Sequence, residues 1–124
     1  MVIDSNLIIY SAQPHHSELR EFIKKETPNV FGISYVEVLG YHSLNDEQKV
    51  YFETFFKNTI ILPVSREILD EAVALKQKRK ISLGDSIIAG TCLVYGFRLA
   101  TRNLSDFEWI DGLDVFNPYP PHLS

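Results

Sequence analysis

Short apolar runs alternate with helix-like segments along the whole chain, and this order constrains the fold more than any other feature. Each run is rich in Val, Ile, Leu or Phe, as expected for a buried strand. The predicted strands are residues 2–3, 30–33, 59–62 and 97–100, with 115–116 as a fifth candidate. This alternation favours an α/β sandwich in which helices flank a mainly parallel sheet of four to five strands.

The segments between the strands carry helix start and stop signals. A Ser precedes four of the helical patterns as a predicted N-cap. The predicted caps are Ser17, Ser34, Ser65 and Ser82. The main predicted helices are residues 18–25, 34–42, 66–78 and 83–95, with another opening at 45–46. The helix at 83–95 is apolar on nearly every side, which indicates a central position, and Gly96 is predicted to end it.

Length and composition limit the class of protein. The chain has 124 residues, which predicts a single domain over 1–124. Lys and Arg number 12 against 16 Asp and Glu, so any contact with nucleic acid is expected to be local. The single cysteine, Cys92, excludes an internal disulfide framework and a multi-cysteine zinc site, and it is interpreted as a core residue.

The same features predict a cytoplasmic location. A single cysteine fits a reducing compartment. No apolar run approaches the ~20 residues of a membrane span. Residues 1–10 lack a basic region and include Asp4, so we expect no signal peptide and no membrane partner.

Four acidic residues follow predicted strands or open helices. Asp4 comes directly after the first strand, and Glu37 lies four residues after the second. Asp85 stands in the first turn of the buried helix, and Asp106 comes shortly after the fourth strand. Because the ends of parallel strands meet at one edge of a sheet, these carboxylates are expected to share a pocket.

Converging carboxylates repel one another and are costly to desolvate, a conflict that a divalent cation removes. An all-oxygen set suits Mg²⁺ or Mn²⁺ rather than zinc. Such a site typically serves phosphate chemistry, because the metal activates a water and neutralises the leaving oxygen.

Simpler interpretations of these acids stand beside that one. Ser34 with Glu37, and Ser82 with Asp85, match the capping-box pattern, so each acid is a candidate helix cap. Asp4 is also compatible with a turn, and Asp106 with an exposed loop.

Other polar and aromatic residues form less specific patterns. The basic run Lys76, Lys78, Arg79 and Lys80 is either a solvated helix end or a contact for an RNA backbone. His15 and His16 are predicted to lie in a solvated loop. The aromatic residues between 51 and 56 are divided between core and a partner surface.

Four motifs in order resemble the PIN-domain ribonucleases, and most closely the VapC-type toxins of toxin–antitoxin pairs. The motifs are VIDSN at 2–6, ISYVEVLG at 33–40, LGDSIIA at 83–89, and TRNLSDF at 101–107 followed by GLDVFNP at 112–118. The resemblance covers essentially the whole chain. It implies a PIN-like three-layer sandwich and a metal-dependent endoribonuclease.

The resemblance also implies roles for individual residues. Asp4 and Asp85 would be the principal Mg²⁺ ligands, and Glu37 would help orient the attacking water. Asn6 and Thr101 would support the site. A homodimer and a cognate antitoxin would be the protein partners, with the antitoxin covering the face around residues 51–56.

The fourth acid departs from the family pattern. The third position of the Thr-x-Asp pattern is Asn103, which carries no charge, whereas Asp106 occupies the other position that family members use. The sequence leaves open which of the two approaches the metal.

Two alternatives to a nuclease remain. One is a catalytically inactive PIN-like RNA-binding module, in which the acids are only caps. The other is a phospho-acceptor signalling domain, which needs a lysine after a late strand. Lys80 is the last lysine of the chain, which argues against the signalling domain.

Overall fold

Five short strands and seven helices alternate in the computed structural model, which describes residues 1–118. The strands are β1 (Val2–Ile3), β2 (Val30–Phe31), β3 (Ile61–Leu62), β4 (Leu99–Ala100) and β5 (Val115–Phe116). The helices are α1 (Ser5–Ser11), α2 (Ser17–Glu26), α3 (Gly32–Leu39), α4 (Asp46–Lys57), α5 (Arg66–Lys78), α6 (Leu83–Tyr95) and α7 (Leu104–Phe107).

All strand pairings are parallel. β4 lies between β1 and β5, and β2 pairs with β3. A parallel bridge between Val2 and Asn29 joins the two groups, and the Asn29 amide donates to the Met1 carbonyl over 3.0 Å. The strands therefore follow the order β3–β2–β1–β4–β5, which confirms the predicted parallel α/β arrangement.

Apolar cores lie on both faces of this sheet, because neighbouring residues of a strand point to opposite sides. Val2 of β1 belongs to one core and Ile3 to the other. The first core is formed with residues of α5, α6 and α7, and the second with residues of α1, α2, α3 and α4. The result is the predicted three-layer sandwich.

Hydrogen bonds confirm the predicted N-caps Ser65 and Ser82 and show that Asn45, predicted to open a helix, caps α4. The Asn45 side chain accepts from the Gln48 amide over 2.7 Å, and Ser65 Oγ accepts from the Ile68 amide over 3.2 Å. Ser82 Oγ accepts from the Asp85 amide over 3.1 Å. Gly96 ends α6 in the left-handed conformation, with φ at 72°.

The predictions for Ser17, Ser34 and His16 were wrong, whereas His15 is exposed in a turn, as predicted. Helix α2 begins at Ser17 itself, and α3 begins at Gly32, so Ser34 lies inside a helix that ends at Leu39. The local sequence could not predict this role of Ser34, because Ser34 is buried and its hydroxyl forms a hydrogen bond with Ser5 of α1. His16 is 4% exposed, packed beside Tyr10 and His15, and is not in a solvated loop.

Helices α5 and α6 approach each other closely at Gly90. A Cβ at this position would lie 2.9 Å from the Ile68 carbonyl oxygen and 3.3 Å from the Ala72 nitrogen. Two residues further along α6, Cys92 is buried in the core, and burial raises the pKa of its thiol to about 12. No helix within residues 1–118 has the length and apolar character that a membrane crossing requires.

Candidate active site

Asp4 lies directly after β1, at the edge of the sheet where β4 also ends. Its amide donates to the Ala100 carbonyl over 2.9 Å, and the Thr101 hydroxyl donates to its Oδ2 over 2.9 Å. Both residues are buried, with Asp4 6% exposed and Thr101 fully enclosed. The parallel pairing of β1 with β4 therefore fixes the position of this carboxylate.

The burial of Asp4 has an electrostatic cost. Loss of solvent raises its pKa from 3.8 to about 6, although hydrogen bonds from the Thr101 hydroxyl and the Ser5 amide act in the opposite direction. The negative charges of Asp85 and Glu37 raise the pKa of Asp4 further. Three of the predicted acids therefore lie within electrostatic reach of one another.

Glu37 is positioned by a hydroxyl pair and not by helix capping. Ser5 Oγ lies 2.8 Å from Glu37 Oε1, to which it donates, and 2.8 Å from Ser34 Oγ. Oε2 of Glu37 lies 3.6 Å from where a Cβ of Gly84 would be, which puts this carboxylate beside the first turn of α6. The capping-box interpretation of Ser34 and Glu37 is therefore wrong.

Asp85 stands in the first turn of α6, where its backbone amide is capped by Ser82. The pKa of the Asp85 carboxyl is raised, mainly by burial and then by the negative charge of Asp106. A hydrogen bond with Ser82 lowers this pKa, and the charge of Glu37 adds a smaller rise. The positive end of the α6 dipole favours a negative charge at this position. Ser82 thus caps α6 through the Asp85 amide, while the Asp85 carboxylate lies near Asp106 and Glu37.

Asp106 lies near Asp85, whereas Asn103 contacts Thr101 through its backbone amide. Asp106 and Asp85 line a common pocket of about 190 Å³, together with Arg79, Lys80 and Trp109. Asn103 precedes α7, is exposed, and donates its backbone amide to Thr101 Oγ1 over 3.0 Å. The geometry favours Asp106 as the fourth acid.

The remaining predicted residues lie around this centre. Asn6 is exposed on α1, and its side chain makes no hydrogen bond within the described part of the chain. Arg79 and Lys80 line the pocket beside Asp85, whereas Lys78 is exposed at the end of α5. Lys76, from the same run, donates to the Ile81 carbonyl over 2.7 Å and so stabilises the loop that leads to α6.

The donor set fits a hard divalent cation. Asp4, Glu37, Asp85 and Asp106 offer only carboxylate oxygens, and Asp4 is buried without a cationic partner. Arg98 pairs with Asp114 over 2.7 Å, and neither residue belongs to this acidic set. The four carboxylates do not form a complete coordination site, since within residues 1–118 no group of three or more His, Cys, Asp or Glu side chains is arranged to hold a metal.

Two hydroxyls and one indole at the site were missed by sequence reasoning. Ser5 follows Asp4 directly in the chain, and Ser34 matched a capping pattern, so the local signals pointed elsewhere. Trp109 lines the pocket and donates its Nε1–H to the Asp106 carbonyl over 2.9 Å. No spacing rule connects residues 5, 34 and 109, because only the fold brings them to this edge.

Comparison with known proteins identifies the family. Residues 1–112 match the model of the PIN domain. The chain therefore belongs to the PIN domain family, which confirms the resemblance seen in the motifs.

Individual relatives are similar over different lengths. A VapC ribonuclease of Sinorhizobium fredii is 41% identical over 61 residues, which are 48% of this chain and 43% of that protein. The matched segment thus spans less than half the length of this curated relative.

Solved structures resemble nearly the whole chain. A chain of a toxin–antitoxin complex from Klebsiella pneumoniae has a TM-score of 0.74 at 28% identity, covering 95% of this chain and 97% of that one. A chain of DNA-bound VapBC from Salmonella typhimurium has a TM-score of 0.81 at 21% identity, covering 94% and 96%. The latter likeness shows the fold alone.

Proposed function

We propose that this protein is a metal-dependent endoribonuclease that hydrolyses RNA phosphodiester bonds and acts as the toxin of a toxin–antitoxin pair. The observation that carries the proposal is the buried Asp4 carboxylate beside Glu37 and Asp85, with no cation of the described chain paired to it. The similarity to a VapC ribonuclease and to a toxin–antitoxin complex supports the same conclusion.

In this proposal Asp4, Asp85 and Asp106 bind Mg²⁺, with Mn²⁺ as the alternative ion. When bound, the metal supplies a water of lowered pKa and neutralises charge on the leaving oxygen. Occupancy also stabilises the ionised forms of Asp4 and Asp85, whose pKa values are raised in its absence. Asp85 and Asp106 reach the site from different elements, α6 and α7.

The remaining groups orient the reactants. Thr101 holds Oδ2 of Asp4, and Ser5 holds Oε1 of Glu37, so each carboxylate keeps one oxygen outside these two hydrogen bonds. We assign Glu37 the role of accepting a hydrogen bond from the attacking water and so aligning it with the phosphorus. Asn6 and Asn103 remain predicted supporting residues.

A cognate antitoxin is the proposed protein partner, and we propose that it binds in an apolar groove. The groove has a volume of about 730 Å³ and is lined by residues of α2, α4 and the segment before β3. Tyr51 and Phe55 line it, whereas Phe52 and Phe56 are buried in the core. The aromatic residues of α4 are therefore divided between the core and this groove, and the use of the groove as a partner surface is part of the proposal.

We also propose a homodimer. Leu69 and Val73 lie four residues apart on α5 and are 47% and 54% exposed. Residues at this spacing share one face of a helix, and an exposed apolar face suits an interface. The single domain over 1–124 and the cytoplasmic location remain predictions.

Cleavage of RNA in Mg²⁺, in Mn²⁺ and in EDTA tests the nuclease, with Asp85→Asn beside the wild type. Asp70→Asn is the matched control, because it makes the same change at an exposed position of α5. We expect cleavage in either metal by the wild type and the control, and none in EDTA or by Asp85→Asn. Equal cleavage with and without metal would overturn the metal dependence.

A catalytically inactive RNA-binding module is the second candidate. It is favoured by the open arrangement of the acids, since the described residues contain no assembled group of three metal-binding side chains. A thermal shift with Mg²⁺ separates the two candidates. An active nuclease is expected to gain stability with Mg²⁺ in the wild type but not in Asp85→Asn, whereas an inactive module shows no gain in either.

A further inference from the structure

We propose that Arg79 and Trp109 form a subsite for the nucleotide next to the cleaved phosphate, in which the base stacks and its phosphate is bound. The inference rests on the proposed function, because it names how a single-stranded RNA would lie against the acidic centre. It concerns a basic and aromatic wall of the pocket whose other wall carries Asp85 and Asp106.

Trp109 is held in place relative to Asp106. Its Nε1–H donates to the Asp106 carbonyl over 2.9 Å, and its ring packs partly against the core that contains Ile110 and Phe107. The indole is only half-buried, so part of its surface lines the pocket. A half-buried ring with its polar atom already bonded presents an apolar surface on which a planar cation can stack.

Arg79 lies over this ring. Its guanidinium carbon is 4.9 Å from the centre of the Trp109 ring. Although Asp85 and Asp106 line the same pocket, Arg79 forms no ion pair with either. The Trp109 ring therefore holds the Arg79 guanidinium near the carboxylates, and the positive charge of Arg79 remains available to an anion.

The backbone presents Arg79 outward. Arg79 directly follows α5 in an extended conformation, which turns the chain away from the helix axis. Lys80 comes next and lines the same pocket, so two cations face it. Cations beside an acidic metal site suit a polyanion, with the carboxylates binding the metal and the cations binding a flanking phosphate.

The partner must be unpaired RNA. Stacking on the guanidinium that lies over the indole requires a base whose face is exposed, and the bases within a duplex have no exposed face. A pocket of about 190 Å³ accommodates part of one nucleotide and not a helix. The subsite is therefore expected to select single-stranded segments, with preference set by stacking strength.

The sequence supplies a reporter, because Trp109 is the one tryptophan of the chain. Fluorescein-labelled homopolymeric RNA decamers, one for each base, are titrated into Asp85→Asn protein in Mg²⁺. Anisotropy of the label reports binding, and parallel titrations with unlabelled decamers report stacking through Trp109 emission. Both titrations are repeated with Arg79→Gln, Arg79→Lys and the control Arg66→Gln, which lies at the opposite end of α5. Trp109→Phe is followed by anisotropy alone, because it contains no tryptophan.

We expect RNA to quench Trp109 in the parent and in Arg66→Gln. Arg79→Gln is expected to weaken binding about tenfold, the usual scale for one stacked base. It should also reduce the slope of log K against log salt by about 0.7, as for one lost phosphate contact on a single strand. Arg79→Lys should keep the salt slope but weaken the quenching, and Trp109→Phe should retain most of the affinity.

Two results would overturn the subsite. The first is RNA that binds by anisotropy without changing Trp109 emission. The second is equal binding by Arg79→Gln and Arg66→Gln. Either result leaves metal-dependent cleavage by the wild type intact. Absence of both RNA binding and cleavage by folded protein would overturn the proposed function together with the subsite.

Discussion

Thr101 and Asp4 lie 97 residues apart in the chain, yet the Thr101 hydroxyl donates a 2.9 Å hydrogen bond to Oδ2 of Asp4. The parallel pairing of Ile3 with Ala100 makes the contact possible, because it sets the two following residues side by side. Thr101 Oγ1 also accepts the Asn103 amide over 3.0 Å. One hydroxyl thus joins the buried carboxylate to the turn that leads to α7.

Replacing Thr101 with Val keeps the side-chain shape and removes the hydroxyl. The Asp4 carboxylate then keeps the Ser5 amide but loses its side-chain donor, so we expect the free energy of unfolding to fall by about 1–3 kcal/mol at neutral pH and the Asp4 pKa to rise further. Denaturant unfolding at several pH values measures both effects. Thr101→Ser should restore most of the stability.

Thr91→Val is the matched control for that prediction. Thr91 is also buried, but its hydroxyl donates to the Ile87 carbonyl of its own helix. Removing that hydroxyl takes no hydrogen bond from a carboxylate, so the pH dependence of the free energy of unfolding should be unchanged. A similar pH dependence in Thr91→Val and Thr101→Val would contradict the assigned role of Thr101.

The raised pKa of Asp4 predicts how stability varies with pH in metal-free protein. The folded-state pKa of about 6 exceeds the ordinary 3.8, so the folded state binds more protons between these values. Stability therefore falls as pH rises from about 4 to 6, by an amount on the order of 3 kcal/mol. Above that range the loss is complete.

Asp4→Asn should remove this dependence. In EDTA we expect the variant to be more stable than the wild type at pH 7 but not at pH 4, although it is inactive. Thermal unfolding across this range provides the measurement. A wild-type advantage at pH 7 in EDTA would show that the ionised carboxylate is not destabilising, contrary to its burial.

The position of Asp106 beside Asp85 predicts unequal effects of substitution in the C-terminal motif. We expect Asp106→Ala to reduce cleavage and to weaken Mg²⁺ binding, by less than Asp85→Asn does. Asn103→Ala should change either quantity little, because the backbone amide of this residue, and not its side chain, contacts Thr101. A larger loss from Asn103→Ala than from Asp106→Ala would assign the fourth position to Asn103.

Close packing of α5 on α6 predicts a stability cost at Gly90. In Gly90→Ala the new methyl group would meet the Ile68 carbonyl oxygen at 2.9 Å, so the helices must separate. We expect a loss of about 1–3 kcal/mol, despite the better helix propensity of Ala. Gly84→Ala is the control, since the nearest atom there lies 3.6 Å away. Comparable unfolding midpoints for the two variants would exclude the steric explanation.

The sequence by itself determined the order of the strands and of the longer helices, and it singled out the four acids as candidates. Apolar runs, the caps at Asn45, Ser65 and Ser82, and the stop at Gly96 are local signals, because each depends on residues within one turn of the chain. The parallel sheet followed from the alternation, since only crossover connections accommodate it.

The tertiary structure decided how the acids are held. Glu37 has the sequence context of a capping residue, but β2 ends at Phe31 and α3 begins one residue later, so Ser34 faces Ser5 across the core. Trp109 joins the site through the backbone of Asp106. Contacts between residues far apart depend on strand order and burial, which no local pattern records.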